Sequence, residues 1–200
     1  MSDVSLARRT ERREREHAHA RGAILSAART LAAREGAEAL TLRAVAQEAG
    51  YAPAALYGYF ASRADLVMAL AADELGALAR ALREAPVAAD GKPDLAASAK
   101  LAVATLCSAA ALPDALAALD GRTANLESER LFNGRLIAVL RALSAALGGA
   151  PGDRASQGDT LVFAAAISGL ALLARTTRLD ALGFSLEELV DRLDNHFSAA

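Results

Sequence analysis

Residues 41–60, TLRAVAQEAGYAPAALYGYF, decide the fold, because they have the pattern of two short helices joined by a tight turn. The first helix is predicted over Leu42–Ala49, where apolar residues recur at helical spacing. Thr41 precedes this helix and can cap its first turn, and Gly50 follows it, where helices often end in a left-handed residue. Pro53 suits the first turn of a second helix. Two short helices around a glycine turn form a helix-turn-helix, whose second helix can enter the major groove of DNA.

The second helix is predicted over residues 53–59 and lies among tyrosines. Tyr51, Tyr57 and Tyr59 are all the tyrosines of the chain, and they fall within nine residues. We expect Tyr59 and its neighbour Phe60 to pack in the core rather than to contact a ligand.

The flanking segments complete a three-helix domain. Upstream, residues 23–34 have the apolar spacing of an amphipathic helix, which Glu35 and Gly36 close. Downstream, Ser62 and Asp65 form a variant of the capping box, with a serine at the N-cap and a carboxylate three residues later. A longer helix is therefore predicted to begin near residue 63.

Roughly residues 20–70 resemble the DNA-binding domain of the TetR family of bacterial transcriptional regulators. Many positions agree with the family pattern at fixed spacing, so the resemblance is more specific than a helix-turn-helix alone. The matching positions are Ile24, Leu25, Ala27, Ala28, Leu31, Gly36, Thr41, Leu42, Arg43, Val45, Ala46, Ala49, Gly50, Leu56, Tyr57, Tyr59, Phe60, Ser62, Arg63 and Leu66. The resemblance implies a DNA-binding regulator of transcription. The alternative is three packed amphipathic helices without a role in DNA binding.

The composition favours helices along the whole chain. Of the 200 residues, 54% are apolar and only 4% are aromatic, alanine and leucine dominate, and no stretch alternates for long as a strand would. We therefore predict an all-α fold of about nine helices. With the resemblance, the chain divides into a flexible charged N-terminal arm (residues 1–20), a helix-turn-helix DNA-binding domain (21–65) and a C-terminal ligand-binding and dimerisation domain (66–200).

Charge is distributed unevenly along the chain. Residues 1–64 carry ten arginines against seven acidic residues, for +3. Residues 65–200 carry twelve basic against seventeen acidic residues, for −5. A locally basic module on an acidic body fits a protein that touches nucleic acid with one end.

Three features bear on where the protein is found. The single cysteine, Cys107, excludes an internal disulfide and is expected to be a small buried hydrophobe. The charged N-terminus lacks the apolar core of a signal peptide. The longest strongly apolar run, residues 161–174, has fourteen residues, whereas a bilayer span needs about 20. We therefore expect a cytoplasmic protein without a membrane segment.

The first twenty residues are polar, and five arginines alternate there with glutamates. Two interpretations remain open. The segment is either a flexible arm whose arginines reach DNA phosphates or the minor groove, or a solvated helix extension held by Glu–Arg pairs. His17 and His19 do not share a helix face, so we expect them to be solvated and to bind no metal.

Turn-forming residues divide the C-terminal region into helices. The stretches 85–93 and 148–152 are rich in proline and glycine and are predicted to be loops. Asp94 and Ser185 are predicted N-caps. Helices are predicted over residues 63–84, 95–111, 113–119, 126–147, about 153–176 and 186–197.

The helix that ends near Thr176 predicts a protein partner, because it is apolar nearly all round and such helices are buried on more than one side. It either lies between its own domain core and a second subunit or is the central helix of a monomer. The resemblance implies the first, since family members dimerise by packing two C-terminal helices of each subunit into a four-helix bundle. The predicted dimer contacts are Phe163, Ile167, Leu170, Leu189 and Leu193.

The start of the first short helix is the predicted phosphate-binding point. Thr41 and Arg43 can bind phosphate there through hydroxyl, guanidinium and free backbone N–H groups. The resemblance implies that the Tyr57 hydroxyl reaches a phosphate and that Arg63 stands near the DNA backbone, where the family usually has lysine. The complete predicted DNA-binding set is Thr41, Arg43, Tyr51, Ala52, Pro53, Ala54, Ala55, Tyr57, Gly58 and Arg63.

The second helix departs from the family pattern at its exposed positions, where family members often carry polar side chains. Those positions are Ala52, Ala54, Ala55 and Gly58. Bidentate recognition of guanine or adenine needs arginine, lysine, asparagine or glutamine, and this helix has none. We therefore expect few direct contacts to the bases. Recognition would depend on Tyr51, on Arg43, on alanine methyls against thymine methyls and on DNA shape.

The resemblance also implies a C-terminal pocket whose small-molecule effector releases the DNA. The sequence leaves the pocket residues unknown, although its alanines and leucines favour an apolar or amphipathic effector. Arg122, Asn125 and Arg130 are candidate polar anchors, which a surface loop explains equally well. A repressor follows only from the majority of the family, and the alternative is a DNA-binding regulator without small-molecule sensing.

Enzymatic activity is not expected, because the sequence has no HExxH, phosphate-loop or CxxC motif. His196 is the only histidine outside the N-terminal tail. No cofactor or metal is predicted. The expected partners are double-stranded operator DNA, a small-molecule effector and a second copy of the chain.

Overall fold

The computed structural model describes residues 2–87, 91, 93–121, 123–150 and 152–198, with side chains from residue 8 onward. Arg122 and parts of both predicted loops lie outside the described residues. These ranges contain ten α-helices, one 3₁₀ turn (Ala37–Ala39) and no strand beyond a single bridge between Val87 and Pro93, which confirms the all-α prediction. The helices are α1 (Ser2–Glu35), α2 (Leu42–Ala49), α3 (Pro53–Leu56), α4 (Arg63–Arg83), α5 (Leu95–Ser108), α6 (Leu112–Asp120), α7 (Leu126–Ala146), α8 (Arg154–Arg175), α9 (Arg178–Ala181) and α10 (Leu186–Ser198).

Four helices begin at the capping residues that the sequence predicts. The side-chain oxygens of Thr41, Ser62, Asp94 and Ser185 each accept a backbone N–H bond from three residues further on, at 2.8 to 3.1 Å. Each bond satisfies an amide that the first helical turn would leave unpaired. These caps fix where α2, α4, α5 and α10 start.

The first three helices and the start of α4 enclose a small apolar core. Ile24 of α1, Leu56 of α3 and Leu66 of α4 are fully buried in it. Phe60 is 2% exposed, as expected, and the Arg21 guanidinium lies 5.1 Å from the centre of its ring. Truncating a side chain in such a core costs about 3 kcal/mol. The helix-turn-helix is therefore held in place by packing of its own.

α4 belongs to both halves of the molecule. It packs against α1, whose Arg29 pairs with Asp73 halfway along α4, and against α5, α6 and α7. Thirteen of its 21 residues are buried, from Asp65 to Leu82. Because one uninterrupted helix runs through the hydrophobic cluster that both halves share, α4 sets how the N-terminal domain is held on the body.

Two polar contacts fix the start of α4 against the body. Asp65 is 3% exposed, and its carboxylate accepts hydrogen bonds from the Ser62 hydroxyl at 3.0 Å and from the Asn125 backbone N–H at 2.8 Å. Arg63 Nη2 lies 2.6 Å from Asp114 Oδ2 on α6. The first turn of α4 is thereby joined to α6 and to the N-terminus of α7.

α1 is longer than the predicted helix, because residues 2–20 continue it. Ion pairs one turn apart line this part, with Arg12 and Glu16 at 3.0 Å and Arg15 and Glu11 at 3.6 Å. Of the two interpretations that the sequence allows, the structure has the helix extension in place of a flexible arm. Exposed pairs of this kind contribute about 0.2–0.5 kcal/mol each.

α5, α8 and α10 pack together on the far side of the body. Phe163 and Ile167 of α8 are 0% and 1% exposed, and the Phe163 ring meets that of Phe197 on α10 edge-on at 5.2 Å. These two predicted dimer contacts therefore lie inside their own subunit. The sequence pattern does not predict α9, a single turn between α8 and α10.

The opposite face of α8 is open and apolar. Leu161, Val162 and Leu172 are 58%, 60% and 63% exposed. By length and composition α8 is apolar enough to cross a membrane: an 18-residue window of it has a mean hydropathy of 1.5, and 22% of that window is buried. Its other face packs against α5 and α10. An exposed apolar stripe beside a packed one indicates a surface that another protein covers.

One partly buried carboxyl group on α4 has neither a cap nor an ion pair to account for it. Within the described residues, Glu74 Oε2 is shielded from solvent and has no hydrogen-bond partner. Burial raises the pKa of the Glu74 carboxyl from 4.5 to about 7, because desolvation disfavours the charged form. Arg29 and Arg175 act in the opposite direction but do not offset the burial.

Replacing Glu74 by glutamine should stabilise the protein, and more so at high pH. The folded pKa lies above the unfolded value of 4.5, so ionisation opposes folding above that value and does so fully above about pH 7. We expect Glu74→Gln to raise the free energy of unfolding by about 2–3 kcal/mol near pH 8 and by little near pH 4.5. Urea denaturation at the two pH values measures this effect. Glu84→Gln, at the exposed end of the same helix, is the control, and a gain that does not depend on pH would contradict the prediction.

Candidate nucleic-acid interface

The turn between α2 and α3 is set by Gly50, whose φ of 73° and ψ of 25° are left-handed as predicted. The Tyr51 N–H donates to the Ala46 carbonyl at 2.8 Å, and the Gly50 N–H donates to the Gln47 carbonyl at 3.3 Å. This pair of bonds satisfies the last carbonyls of α2 and reverses the chain within one residue. Any other residue would have to adopt this conformation at a steric cost.

α3 is a single helical turn and is shorter than predicted. After Leu56 the chain continues as turns, in which the Gly58 N–H donates to the Ala55 carbonyl at 3.1 Å and the Phe60 N–H donates to the Leu56 carbonyl at 2.9 Å. Ala52 offers no capping side chain at the start, and Gly58 is a poor helix former at the end. Leu56 anchors α3 in the core, which leaves its other residues on the surface.

Most of the predicted DNA contacts lie on the exposed surface of this motif. Tyr57 is the most prominent, with 65% of its area exposed. Tyr51 is instead partly buried, and its ring lies edge-on to that of Tyr59 at 6.5 Å. The exposed members are Thr41, Arg43, Ala52, Pro53, Ala54, Ala55, Tyr57, Gly58 and Arg63.

Arg63 is engaged by groups of its own chain. Its Nε donates to the Leu40 carbonyl at 2.8 Å, and its Nη2 donates to the Ala37 carbonyl at 3.0 Å and to Asp114. The side chain therefore bridges the 3₁₀ turn and α6. A phosphate contact from Arg63 would have to come from Nη1. No local pattern predicts this bridge, because its partners lie 23, 26 and 51 residues away.

The acidic side chain of α2, Glu48, is paired with an arginine of α1. Arg34 of α1 places its Nη1 and Nη2 at 3.2 and 2.8 Å from the two carboxylate oxygens of Glu48. This two-point hydrogen bonding lowers the pKa of the Glu48 carboxyl and raises the pKa of Arg34. The pair compensates the negative charge of α2, which would otherwise repel a phosphate chain.

α1 reaches back to the motif through an aromatic contact. The His17 ring stacks on Tyr59 with centroids 4.5 Å apart and planes at 21°. A signal for this contact was present in the sequence, because His17, Arg21 and Ile24 share one helix face at four- and three-residue spacing. The stack places the helix extension beside the candidate interface.

The surface offers hydrogen-bond donors and positive charge. Over the described residues, no group of three or more His, Cys, Asp or Glu side chains could hold a metal ion. Thr41 and Arg43 stand at the N-terminus of α2, where the helix dipole also favours a phosphate. A helix-turn-helix exposed on a helical body, as in this structure, is typical of DNA-binding regulators.

Residues 24–70 match the family model described as bacterial regulatory proteins, tetR family. Nothing among the curated proteins matches the chain. The match covers α2, α3, the turn between them and most of the core that supports them. Residues 24–70 of the chain are therefore similar to the N-terminal domain of the TetR family of bacterial regulatory proteins.

Solved structures share the fold across the body as well. A protein of unknown function from Rhodococcus sp. RHA1 is 27% identical, with a TM-score of 0.66 over 89% of this chain and 93% of that chain. A transcriptional regulator from Rhodococcus sp. Rha1 is 24% identical, with a TM-score of 0.63 over 88% and 95%. The regulator FadR from Bacillus subtilis, solved in complex with stearoyl-CoA, is 19% identical, with a TM-score of 0.54 over 88% and 96%.

Arg43→Ala should weaken DNA binding and flatten its salt dependence. One phosphate contact fewer releases one counterion fewer, so the slope of log K against log salt should fall by about 1. Fluorescence anisotropy over a salt series measures both quantities. Arg83→Ala, which removes an exposed arginine at the C-terminal end of α4, is the matched control. An unchanged slope in Arg43→Ala would remove Arg43 from the interface.

Proposed function

We propose that the protein is a cytoplasmic homodimeric repressor that leaves its operator when a small apolar or amphipathic molecule binds the body. The observation that carries this proposal is α4. Its first turn is tied to the 3₁₀ turn beside the DNA-binding motif through Arg63, and its remainder is buried among the helices of the body. A shift of the body helices would therefore reach the DNA-binding motif through α4.

The proposed domains are the helix-turn-helix domain over residues 21–65 and the ligand-binding and dimerisation domain over residues 66–200. Residues 2–20 form a helical extension of the first domain. The boundary falls within α4, close to Asp65, whose carboxylate reaches α7. A boundary inside a continuous helix supports mechanical coupling between the domains, since no flexible linker separates them.

On the proposed DNA surface, Thr41, Arg43 and Tyr57 bind phosphates, and the small residues of α3 let the backbone approach the groove closely. Alanine methyls meet thymine methyls, and DNA shape supplies much of the remaining selectivity. Tyr51 contributes less direct contact than an exposed side chain would, because it is partly buried. Arg63 contributes mainly by holding α4 in position.

The function is tested with duplex DNA from the region upstream of the protein's own gene. We expect specific binding about 10³-fold tighter than to an unrelated duplex of the same length, measured by anisotropy at fixed salt. Equal affinity for both duplexes would reject a sequence-specific regulator. A thermal-shift screen of metabolites on the same preparation separates an effector-responsive repressor from a regulator without small-molecule sensing. The stearoyl-CoA of the FadR complex supports including acyl-CoA compounds in that screen.

The proposed dimer face is the exposed stripe of α8. Its members recur at three- and four-residue spacing and include small residues that let a second helix approach closely: Gly158, Leu161, Val162, Ala165, Gly169 and Leu172. Leu170, Leu189 and Leu193 are partly buried and stand at the edge of this face. Phe163 and Ile167 lie on the buried side of α8 and would not contact the second subunit.

Val162→Asp should convert the dimer into a monomer, because a carboxylate in the centre of an apolar interface would be desolvated without a partner. Light scattering should then give the mass of one 20.6 kDa chain in place of two. DNA affinity should fall with it, since each motif would bind its half-site alone. Leu116→Asp, on the 51% exposed Leu116 of α6, is the control. A Val162→Asp protein that stays dimeric would overturn the proposed interface.

A further inference from the structure

We propose that Arg9 and Arg13, on the N-terminal extension of α1, bind phosphates of the DNA backbone next to the site that the helix-turn-helix occupies. The proposal rests on the proposed function, because it gives the same DNA partner a second contact surface. It adds two phosphate-binding residues that lie outside the predicted DNA-binding set.

A basic stripe runs along α1, with members four residues apart: Arg9, Arg13, His17 and Arg21. Neighbouring members share a helix face, and each step along the stripe rises about 6 Å. Its C-terminal half lies on the helix-turn-helix domain, since the His17 ring stacks on Tyr59 at 4.5 Å and the Arg21 guanidinium lies 5.1 Å from the centre of the Phe60 ring. Its N-terminal half therefore continues past Tyr59, beside the candidate interface.

The arginines of the extension differ in whether an acid compensates their charge. Arg12 and Arg15 are each paired with a glutamate one turn away, at 3.0 and 3.6 Å. Arg9 and Arg13 are exposed and make no ion pair or hydrogen bond within the described residues. Like charges four residues apart destabilise a helix. The stripe thus carries repulsion that an anion lying against it would relieve.

The paired and the unpaired arginines of the stripe region lie on different sides of α1. Each residue is turned by about 100° from the one before it, so Arg13 and Arg9 lie about 40° and 80° from His17 around the helix axis. By the same geometry, Arg12 and Arg15 lie about 140° and 160° from His17. The uncompensated charge is therefore on the side that faces the helix-turn-helix.

Two further charged residues of the extension do not change this distribution. Arg8 makes no ion pair within the described residues, but it lies about 180° from His17, on the far side of the helix. Glu14 is the one acid on the same side as His17, about 100° from Arg13. With two arginines against one glutamate, that side keeps a net positive charge.

Duplex DNA is the partner that the stripe fits. Each strand presents a phosphate about every 3.4 Å along the axis, so a row of guanidinium groups meets a row of anions. Guanidinium groups also match phosphate oxygens in geometry. A helix that binds a membrane surface needs an apolar face beside the basic one, and residues 8–16, RRTERRERE, contain no apolar residue.

The test compares two double variants that remove the same charge from the same helix. Arg9→Ala with Arg13→Ala removes the stripe, and Arg12→Ala with Arg15→Ala removes the paired arginines and is the matched control. Alanine is the best helix former, so both variants should keep the extension helical, which circular dichroism checks. Fluorescence anisotropy over a salt series measures the affinity for duplex DNA. We expect the slope of log K against log salt to fall by about 2 for each bound chain in the stripe variant and to stay near the wild-type value in the control.

Hydroxyl-radical footprinting gives a second readout, because it reports which sugars of the DNA backbone are shielded. On the upstream duplex, the wild type should protect positions that flank the central footprint. The stripe variant should lose the flanking protection and keep the central one, and the control should keep both. An unchanged salt slope in the stripe variant, an equal fall in both variants, or flanking protection that survives in the stripe variant would overturn the proposal.

Unrelated DNA separates this proposal from the one on which it rests, because phosphate contacts do not depend on sequence. The salt series is therefore repeated on an unrelated duplex of the same length. Equal affinity of the wild type for both duplexes would reject the regulator, and a smaller slope in the stripe variant alone would still support the stripe. Specific binding with the same slope in all three proteins would reject the stripe and leave the regulator standing. No binding to either duplex would reject both.

Discussion

The structure depends on the continuity of α4, because this one helix runs through a hydrophobic cluster that joins the N-terminal domain to the body. Leu66 is buried with the residues that support the helix-turn-helix, and Leu82, four turns later, is buried within the body. A helix interrupted between those points would leave two small domains on a flexible linker. Instead, the hydrogen-bonded backbone of α4 holds the orientation of one domain relative to the other, and the Arg63 and Asp65 contacts fix that orientation at its weakest point, the first turn.

The same arrangement explains how a helix as short as α3 keeps one defined orientation. α3 is one turn long and has only Leu56 to hold it in the core. Its position follows from the glycine turn before it and from the aromatic cluster around it, in which Tyr59 contacts both Tyr51 and His17. With alanine at most exposed positions, this surface makes few hydrogen bonds of its own. Under the proposed function, selectivity would depend on the orientation of α3 and on the spacing of two such surfaces in a dimer.

The sequence was sufficient to predict the helices whose ends are marked by specific side chains. Thr41, Ser62, Asp94 and Ser185 cap where expected, since capping is a local interaction. Orientation was harder to predict for α8. Its apolar residues surround the helix, so periodicity alone could not show that Phe163 faces inward and Val162 outward. Partners far along the chain, such as Asp114 for Arg63, have no local signature at all.

The helical form of residues 2–20 changes what the N-terminal arginines can do. A flexible arm searches a volume and loses conformational entropy when it settles on a duplex. The observed extension is a rod roughly 28 Å long, held near its base where the His17 ring lies on Tyr59. Its guanidiniums are carried on a rigid helix at set distances from the turn between α2 and α3, and they do not sweep the volume that a tether would.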